Sequence, residues 1–135
     1  IFHGRHFLVA EDNEINAEIL CELLHMEGAS SDLREDGARM VEAFTSAEPG
    51  TYDVILMDIQ MPGMNGYEAA RVIRSLDRAD AKEIPIIAMT ANAFEDDRQE
   101  ALRAGMNDHF SKPIDVKALE KLLDQYLLRA GECQE

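Results

Sequence analysis

Short runs of apolar residues alternate five times with longer segments in which apolar residues recur every three or four positions. The clearest runs, 7–10, 54–57 and 84–89, have the length of buried β-strands. A more polar run at 30–34 is typical of an edge strand, and a short run near 109–111 completes the set. Five strands that alternate with helices predict one parallel sheet with helices on both of its faces.

The segments between these runs carry the start and stop signals of helices. Asn13 can cap a first helix that ends at Gly28, and Gly37 precedes a second helix that Pro49 and Gly50 stop. A third helix is predicted over about 67–76, a fourth over 93–104, and a last one on an apolar stripe from 116 to 126. No repeat or linker interrupts the pattern, so residues 1–135 are predicted to form one domain with a core of about 6–128. Because the sequence begins with Ile1 instead of Met, we expect it to be excised from a longer multidomain protein.

The net charge and the cysteine content exclude several classes of function and cellular location. A formal net charge of −14, with 13 dispersed Lys and Arg residues, argues against nucleic-acid binding, which needs clustered basic residues. No apolar run approaches the roughly 20 residues that cross a bilayer, and no secretion signal is present. Cys21 and Cys133 form no CxxC motif and suggest a reducing compartment. We therefore expect a cytoplasmic domain with no membrane contact of its own, although its parent protein could be membrane-anchored.

Polar residues stand at the carboxyl ends of the predicted strands. The first strand ends in Glu11-Asp12, the third in Asp58, the fourth in Thr90 and the fifth in Lys112-Pro113. In a doubly wound sheet these ends meet at one edge, where ligands bind. Carboxylates that converge there repel one another unless a cation intervenes, and oxygen ligands suit Mg²⁺. With the charge of Lys112 and the hydroxyl of Thr90, the set predicts a cradle for a phosphoryl group.

Each of these residues alone also has a simpler interpretation. Glu11-Asp12 could only favour the positive end of the following helix, and a lone Asp after a strand is more often a turn residue. Lys112 could be solvated, and Thr90 could be a β-former. The functional interpretation depends on all of them falling at strand ends of one pattern.

Four segments resemble the motifs of response-regulator receiver domains. They are Leu8-Val9-Ala10-Glu11-Asp12-Asn13, Met57-Asp58-Ile59-Gln60-Met61-Pro62-Gly63-Met64-Asn65-Gly66, Met89-Thr90-Ala91-Asn92-Ala93 and Ser111-Lys112-Pro113-Ile114. The resemblance covers about residues 6–128 and is greatest to receivers of hybrid sensor histidine kinases. It implies a flavodoxin-like doubly wound (βα)5 fold, with strand order 2-1-3-4-5 and helices on both faces.

The resemblance also implies a function. Asp58 would accept a phosphoryl group from a phosphohistidine of a histidine kinase or a histidine-phosphotransfer domain, with Lys112 and Thr90 contacting the group. Glu11, Asp12, Asp58 and the backbone carbonyl of Gln60 would hold Mg²⁺, for which Mn²⁺ could substitute. Such a domain is a signalling switch and catalyses only its own phosphorylation and dephosphorylation.

Three further expectations concern the switch and the partners. Receivers usually place Tyr or Phe three residues before the Lys, as a side chain that rotates when the domain switches, and this chain has His109 at that position. Either His109 works as such a switch together with Thr90, or it is a plain surface histidine. Ile15 and Pro113 resemble positions that dock a histidine-phosphotransfer bundle, although Ile15 could instead point into the core. A homodimer could use the face formed by the fifth strand and the helices on either side of it.

Two other functions fit the same pattern less well. A pseudo-receiver would bind partners without phosphate, but the complete set of acids, Thr90 and Lys112 argues against it. A phosphohydrolase with an aspartyl intermediate normally carries a second acid two residues after the nucleophile. Gln60 stands at that position and cannot donate a proton as an acid.

Overall fold

The computed structural model describes residues 4–48, 50–59, 61, 63–90, 95–111 and 117–122. In chain order the elements are β1 (His6–Ala10), α1 (Glu14–Met26), β2 (Ser30–Arg34), α2 (Gly37–Ser46), β3 (Val54–Asp58), α3 (Gly66–Ser75), α4 (Ala79–Glu83), β4 (Ile86–Thr90), α5 (Glu95–Arg103) and β5 (Asp108–Ser111). Residues 117–122 are also helical. Within these ranges no helix is both long and apolar enough to span a bilayer.

The five strands form one parallel sheet in the order β2-β1-β3-β4-β5. The predicted flavodoxin-like strand order is therefore confirmed. Strand β2 lies on one side of β1, whereas β3, β4 and β5 follow one another on its other side. The direction in which strands are added therefore reverses between β1 and β3. Ligands of such sheets bind outside the carboxyl ends of the strands at this reversal.

Alternate residues of the central strands divide the core between the two faces of the sheet, as the two-residue period of a strand requires. Leu8, Ile55 and Ile86 pack on one face with Met40 and Phe44 of α2 and with residues of α3, α4 and α5. On the other face are Phe7, Val9, Val54, Leu56, Ile87 and Met89, which pack with Leu20 and Leu24 of α1 and with Leu119. Burial on both faces explains why these strands read as continuous apolar runs.

Three helices begin at a side chain that accepts a backbone hydrogen bond. Asn13 caps α1 as predicted, Asp36 caps α2, and Asn65 caps α3. Helix α1 ends at Met26, and Gly28 reverses the chain with a φ of 85°. Gly37 is the first residue of α2 and so lies inside the helix that it was predicted to precede.

The sequence pattern missed one element. Helix α4 spans five residues, all of them polar or small, and precedes β4. It is too short to show a helical period, so the prediction merged Ile84 and Pro85 into the strand, which begins at Ile86. The polar strand β2 does lie at the edge of the sheet, where Ser30 and Leu33 are exposed and the charged Asp32 and Arg34 are half-buried.

Candidate functional site

Three carboxylates meet where β1 and β3 end. Glu11 and Asp12 follow β1 directly, and Asp58 is the last residue of β3. Three oxygen atoms, one from each of these carboxylates, lie within 4.8 Å of one another. Glu11 and Asp58 are only 2% and 4% exposed, whereas Asp12 is open to solvent. The predicted convergence of these residues is therefore present.

Backbone hydrogen bonds hold the acidic residues in place. The N–H of Glu11 donates to the carbonyl of Arg34 at 3.1 Å, which ties the end of β1 to β2. The N–H of Asn13 donates to Oε1 of Glu11 at 3.3 Å, so the turn into α1 orients that carboxylate. Asp58 is opposite Met89 in β4, and the N–H of Ile59 donates to the Met89 carbonyl at 3.2 Å. The cluster is thus built at the ends of two buried central strands of the sheet.

Gly66 brings the start of α3 against the backbone of Asp58. Its N–H donates to the carbonyl of Ile59 at 3.0 Å. A Cβ at this position would lie 2.5 Å from the carbonyl oxygen of Asp58 and 2.9 Å from the Cα of Ile59. Only glycine fits this approach, because both obstacles are backbone atoms. The predicted third helix began at about residue 67, one residue after this glycine, although its place directly after the capping Asn65 was the available signal.

Thr90 lies on β4, the neighbour of β3, and His109 lies on β5, the strand on the far side of β4. Thr90 ends β4 and is partly buried, and its register partner is Ser111 at the end of β5. The side chain of His109 is 16% exposed, and its Nδ1 lies 3.7 Å from Oδ1 of Asp108. This buried Nδ1 makes no hydrogen bond with the described residues. His109 is therefore not the plain surface histidine that the sequence left open.

Ile15 projects into solvent from the first turn of α1. It is 69% exposed, and Ile19, one turn further along, is 54% exposed. The alternative that Ile15 points into the core is therefore wrong. Three predicted site residues, Gln60, Lys112 and Pro113, lie outside the described residues.

The acidic cluster fits a hard divalent cation. Mg²⁺ binds carboxylate and carbonyl oxygens and keeps several waters, so it needs only a few protein ligands. Two ionised carboxylates buried together are costly without positive charge nearby. The open side at Asp12 leaves room for water on the cation.

The sequence profile of the response regulator receiver domain matches residues 7–124. The chain belongs to this family. Among curated relatives it is 42% identical over 127 residues to a probable histidine kinase 2 of Oryza sativa, covering 86% of this chain and 12% of that protein. It is 36% identical to the hybrid signal transduction histidine kinase I of Dictyostelium discoideum, covering 90% of this chain and 7% of that protein. The chain thus spans only a small part of these relatives.

Solved receiver structures share the fold of this chain. The receiver domain of a sensor histidine kinase from Pseudomonas aeruginosa PAO1 is 36% identical with a TM-score of 0.81, over 92% of this chain and 98% of that chain. That structure has a magnesium ion coordinated in its active-site cleft. A chain from the co-crystal structure of the Saccharomyces cerevisiae histidine phosphotransfer protein Ypd1 with the receiver domain of Ssk1 is 31% identical with a TM-score of 0.80, over 93% of this chain and 90% of that chain. By sequence and by fold, this chain is therefore a receiver domain of two-component signalling.

Proposed function

We propose that Asp58 accepts a phosphoryl group from a phosphohistidine. The observation that carries this proposal is the convergence of Glu11, Asp12 and Asp58 within 4.8 Å at the carboxyl ends of β1 and β3. Asp58 is the member that ends the central strand, and its neighbours supply the negative charge that a divalent cation needs. The magnesium ion in the related Pseudomonas receiver supports the same use of this cleft.

The proposed transfer is a displacement at phosphorus. An oxygen of Asp58 attacks the phosphorus, the bond to the imidazole nitrogen of the donor breaks, and the electron pair of that bond stays on the imidazole. Asp58 becomes an acyl phosphate. Mg²⁺ held by Glu11, Asp12, Asp58 and the Gln60 carbonyl would offset charge on the transferring oxygens, which is the main demand of phosphoryl transfer.

Residues of the flanking strands would then respond to the phosphoryl group. Thr90, which ends β4, would donate its hydroxyl to the phosphoryl group on the neighbouring strand, and Lys112, which follows Ser111 in the sequence, would supply a second positive charge. The phosphoryl group adds a charge of about −1.5 to −2 near neutral pH and biases an equilibrium between two conformations. We assign His109 to the moving element because its side chain is largely buried and its strand, β5, pairs directly with β4.

Chemical labelling tests the acceptor. The protein is incubated with acetyl phosphate and Mg²⁺, and intact mass is measured before and after mild base. We expect one base-labile phosphoryl adduct that needs the cation and is absent from Asp58→Asn. Asp53→Asn, which removes an acid near the other end of β3, serves as the matched control and should be labelled like the wild type. An adduct that persists in Asp58→Asn refutes the assignment; no adduct on any variant indicates a pseudo-receiver, and turnover of unrelated phosphate esters indicates a hydrolase.

We further propose that a histidine-containing donor docks on the exposed apolar residues Ile15 and Ile19. The similarity to a receiver crystallised with a histidine phosphotransfer protein supports this choice of partner. Ile15→Asp should slow phosphotransfer from such a donor and leave labelling by acetyl phosphate unchanged, because the small donor needs no docking surface. Met26→Asp, on an exposed apolar residue at the far end of α1, is the control for a general effect of added charge. Equal slowing by both variants would contradict docking at Ile15.

A further inference from the structure

The start of α2 contacts the segment that leads from β3 into α3. Gly37, the first residue of α2, is buried against the backbone of Met64. A Cβ on Gly37 would lie 3.1 Å from the carbonyl carbon of Met64 and 3.2 Å from its Cβ, and closer still to its carbonyl oxygen. Because the nearest obstacle is backbone, no side-chain rotation could make room for this atom. Only glycine therefore allows α2 to begin so close to Met64.

Met64 is connected to the end of β3 through a second close approach of two backbones. It lies two residues before Gly66, and Asn65 between them caps α3. Gly66 donates its N–H to the carbonyl of Ile59 at 3.0 Å and leaves no room for a Cβ against the backbone of Asp58. Residues 64–66 therefore fill the space between the first turn of α2 and the end of β3. A displacement of Met64 is passed on to that strand end.

The connection between β2 and α2 also supports the other side of the acidic cluster. The carbonyl of Arg34, the last residue of β2, accepts the N–H of Glu11 at 3.1 Å. Asp36 then caps α2 by accepting the N–H of Arg39 at 2.8 Å, which fixes where the helix begins. Residues 34–37 thus hold the end of β1 through one contact and face the segment after β3 through the other. This short connection links the two strand ends that carry the carboxylates.

We propose that Gly37 is a positioning residue for the phosphorylation site, an inference that rests on the proposed role of Asp58 and its cation. By leaving Met64 in place, Gly37 keeps the end of β3 at the distance from Glu11 and Asp12 that a shared cation requires. Three oxygens within 4.8 Å of one another can share one ion, and Mg²⁺ demands near-ideal geometry. Gly37→Ala displaces the end of β3 and so weakens cation binding, although it adds no charge and removes no ligand.

Titration of Mg²⁺ into ¹⁵N-labelled protein, followed by the amide signals, tests this role without phosphorylation. We expect Gly37→Ala to raise the dissociation constant for Mg²⁺ about tenfold, since changes to residues that only position metal ligands typically reduce affinity or activity about 10–100-fold. The rate of labelling by acetyl phosphate should fall by a similar factor. Gly105→Ala is the matched control, because its Cβ would lie 2.7 Å from Cγ of Arg74, before β5 and away from the carboxylates. It should bind Mg²⁺ like the wild type.

The variants are compared at a temperature at which circular dichroism shows them to be folded. Wild-type Mg²⁺ affinity in Gly37→Ala, or equal weakening in Gly37→Ala and Gly105→Ala, contradicts the positioning role. If Gly37→Ala does not fold, Met64→Gly tests the same contact, because it adds no atom but gives the backbone opposite residue 37 more freedom. It should also weaken Mg²⁺ binding, and wild-type affinity in this variant overturns the proposal.

The proposed function and the role of Gly37 fail in different measurements. A wild type without an adduct, or an adduct that persists in Asp58→Asn, refutes the acceptor, whereas the Mg²⁺ affinities alone decide the role of Gly37. A wild type that binds no Mg²⁺ overturns both.

Discussion

Replacing Gly66 with alanine tests how closely α3 begins against the strand that carries Asp58. The added Cβ would lie 2.5 Å from the Asp58 carbonyl oxygen, about 0.9 Å inside the 3.4 Å at which ordinary van der Waals contact begins. It would also lie 2.9 Å from the Cα of Ile59. Because both atoms are backbone, no side-chain rotation relieves the overlap, and either the helix or the strand end must move.

The expected change in the free energy of unfolding follows from two destabilising effects and one stabilising effect. Overpacking of this kind costs about 1–3 kcal/mol. Separation of the two segments also weakens the hydrogen bond from Gly66 to Ile59, 3.0 Å long, which contributes about 1 kcal/mol. Alanine favours a helix over glycine by about 1 kcal/mol. We therefore expect Gly66→Ala to lower the free energy of unfolding by about 1–3 kcal/mol and Tm by roughly 4–12 °C.

Urea unfolding followed by circular dichroism measures this change. Glu68→Ala, an exposed substitution in the same first turn, is the matched control and should stay within about 0.5 kcal/mol of the wild type. The acetyl phosphate reaction of Gly66→Ala should also slow, because movement of the strand end displaces Asp58. A Gly66→Ala protein as stable as the wild type would show that the approach of α3 to Asp58 is not a tight constraint.

Three other substitutions test separate parts of the structure. Asn65→Ala removes the side-chain acceptor that caps α3 and should cost about 1 kcal/mol in urea unfolding; no loss would mean that water caps the helix equally well. Burial, and next the hydrogen bond to Asp32, raise the pKa of Tyr52 to about 12, so the neutral phenol stabilises the fold fully below about pH 10 and this contribution disappears as pH rises through about 12. The phenolate absorbance missing from Tyr52→Phe should therefore titrate near 12, and a value near 10 would contradict this. Arg74→Lys should lower the free energy of unfolding by about 2–4 kcal/mol, because the half-buried guanidinium donates hydrogen bonds to the carbonyls of Ala81 and Gly105 and to Oδ1 of Asn107. Arg71→Lys, on an exposed ion pair, should change it by less than about 0.5 kcal/mol, and equal losses in both variants would refute a special role for Arg74.

The sequence determined the sheet and the acidic cluster. Apolar runs such as Val54–Met57 identify strands buried on both faces, and alternation with helices requires parallel connections. Residues after such strands must meet at one edge, so Glu11, Asp12 and Asp58 were predictable from their positions alone. The helix cap at Asn13 was equally predictable from the sequence, because it depends on a local hydrogen bond.

Tertiary structure alone decided the remaining features. Helix α4 is too short to leave a periodic signal, and the requirement for Gly66 arises from the backbone of a strand eight residues earlier in the sequence. The exposure of Ile15 depends on which face of α1 the sheet covers, since an amphipathic pattern does not exclude apolar residues from the outer face. The contacts of His6 with Asp32 join residues from different strands, and no local pattern specifies them. Helix and strand propensity and hydrophobic periodicity depend on residues that are neighbours in the sequence. Burial and charge pairing depend on segments that meet only after folding.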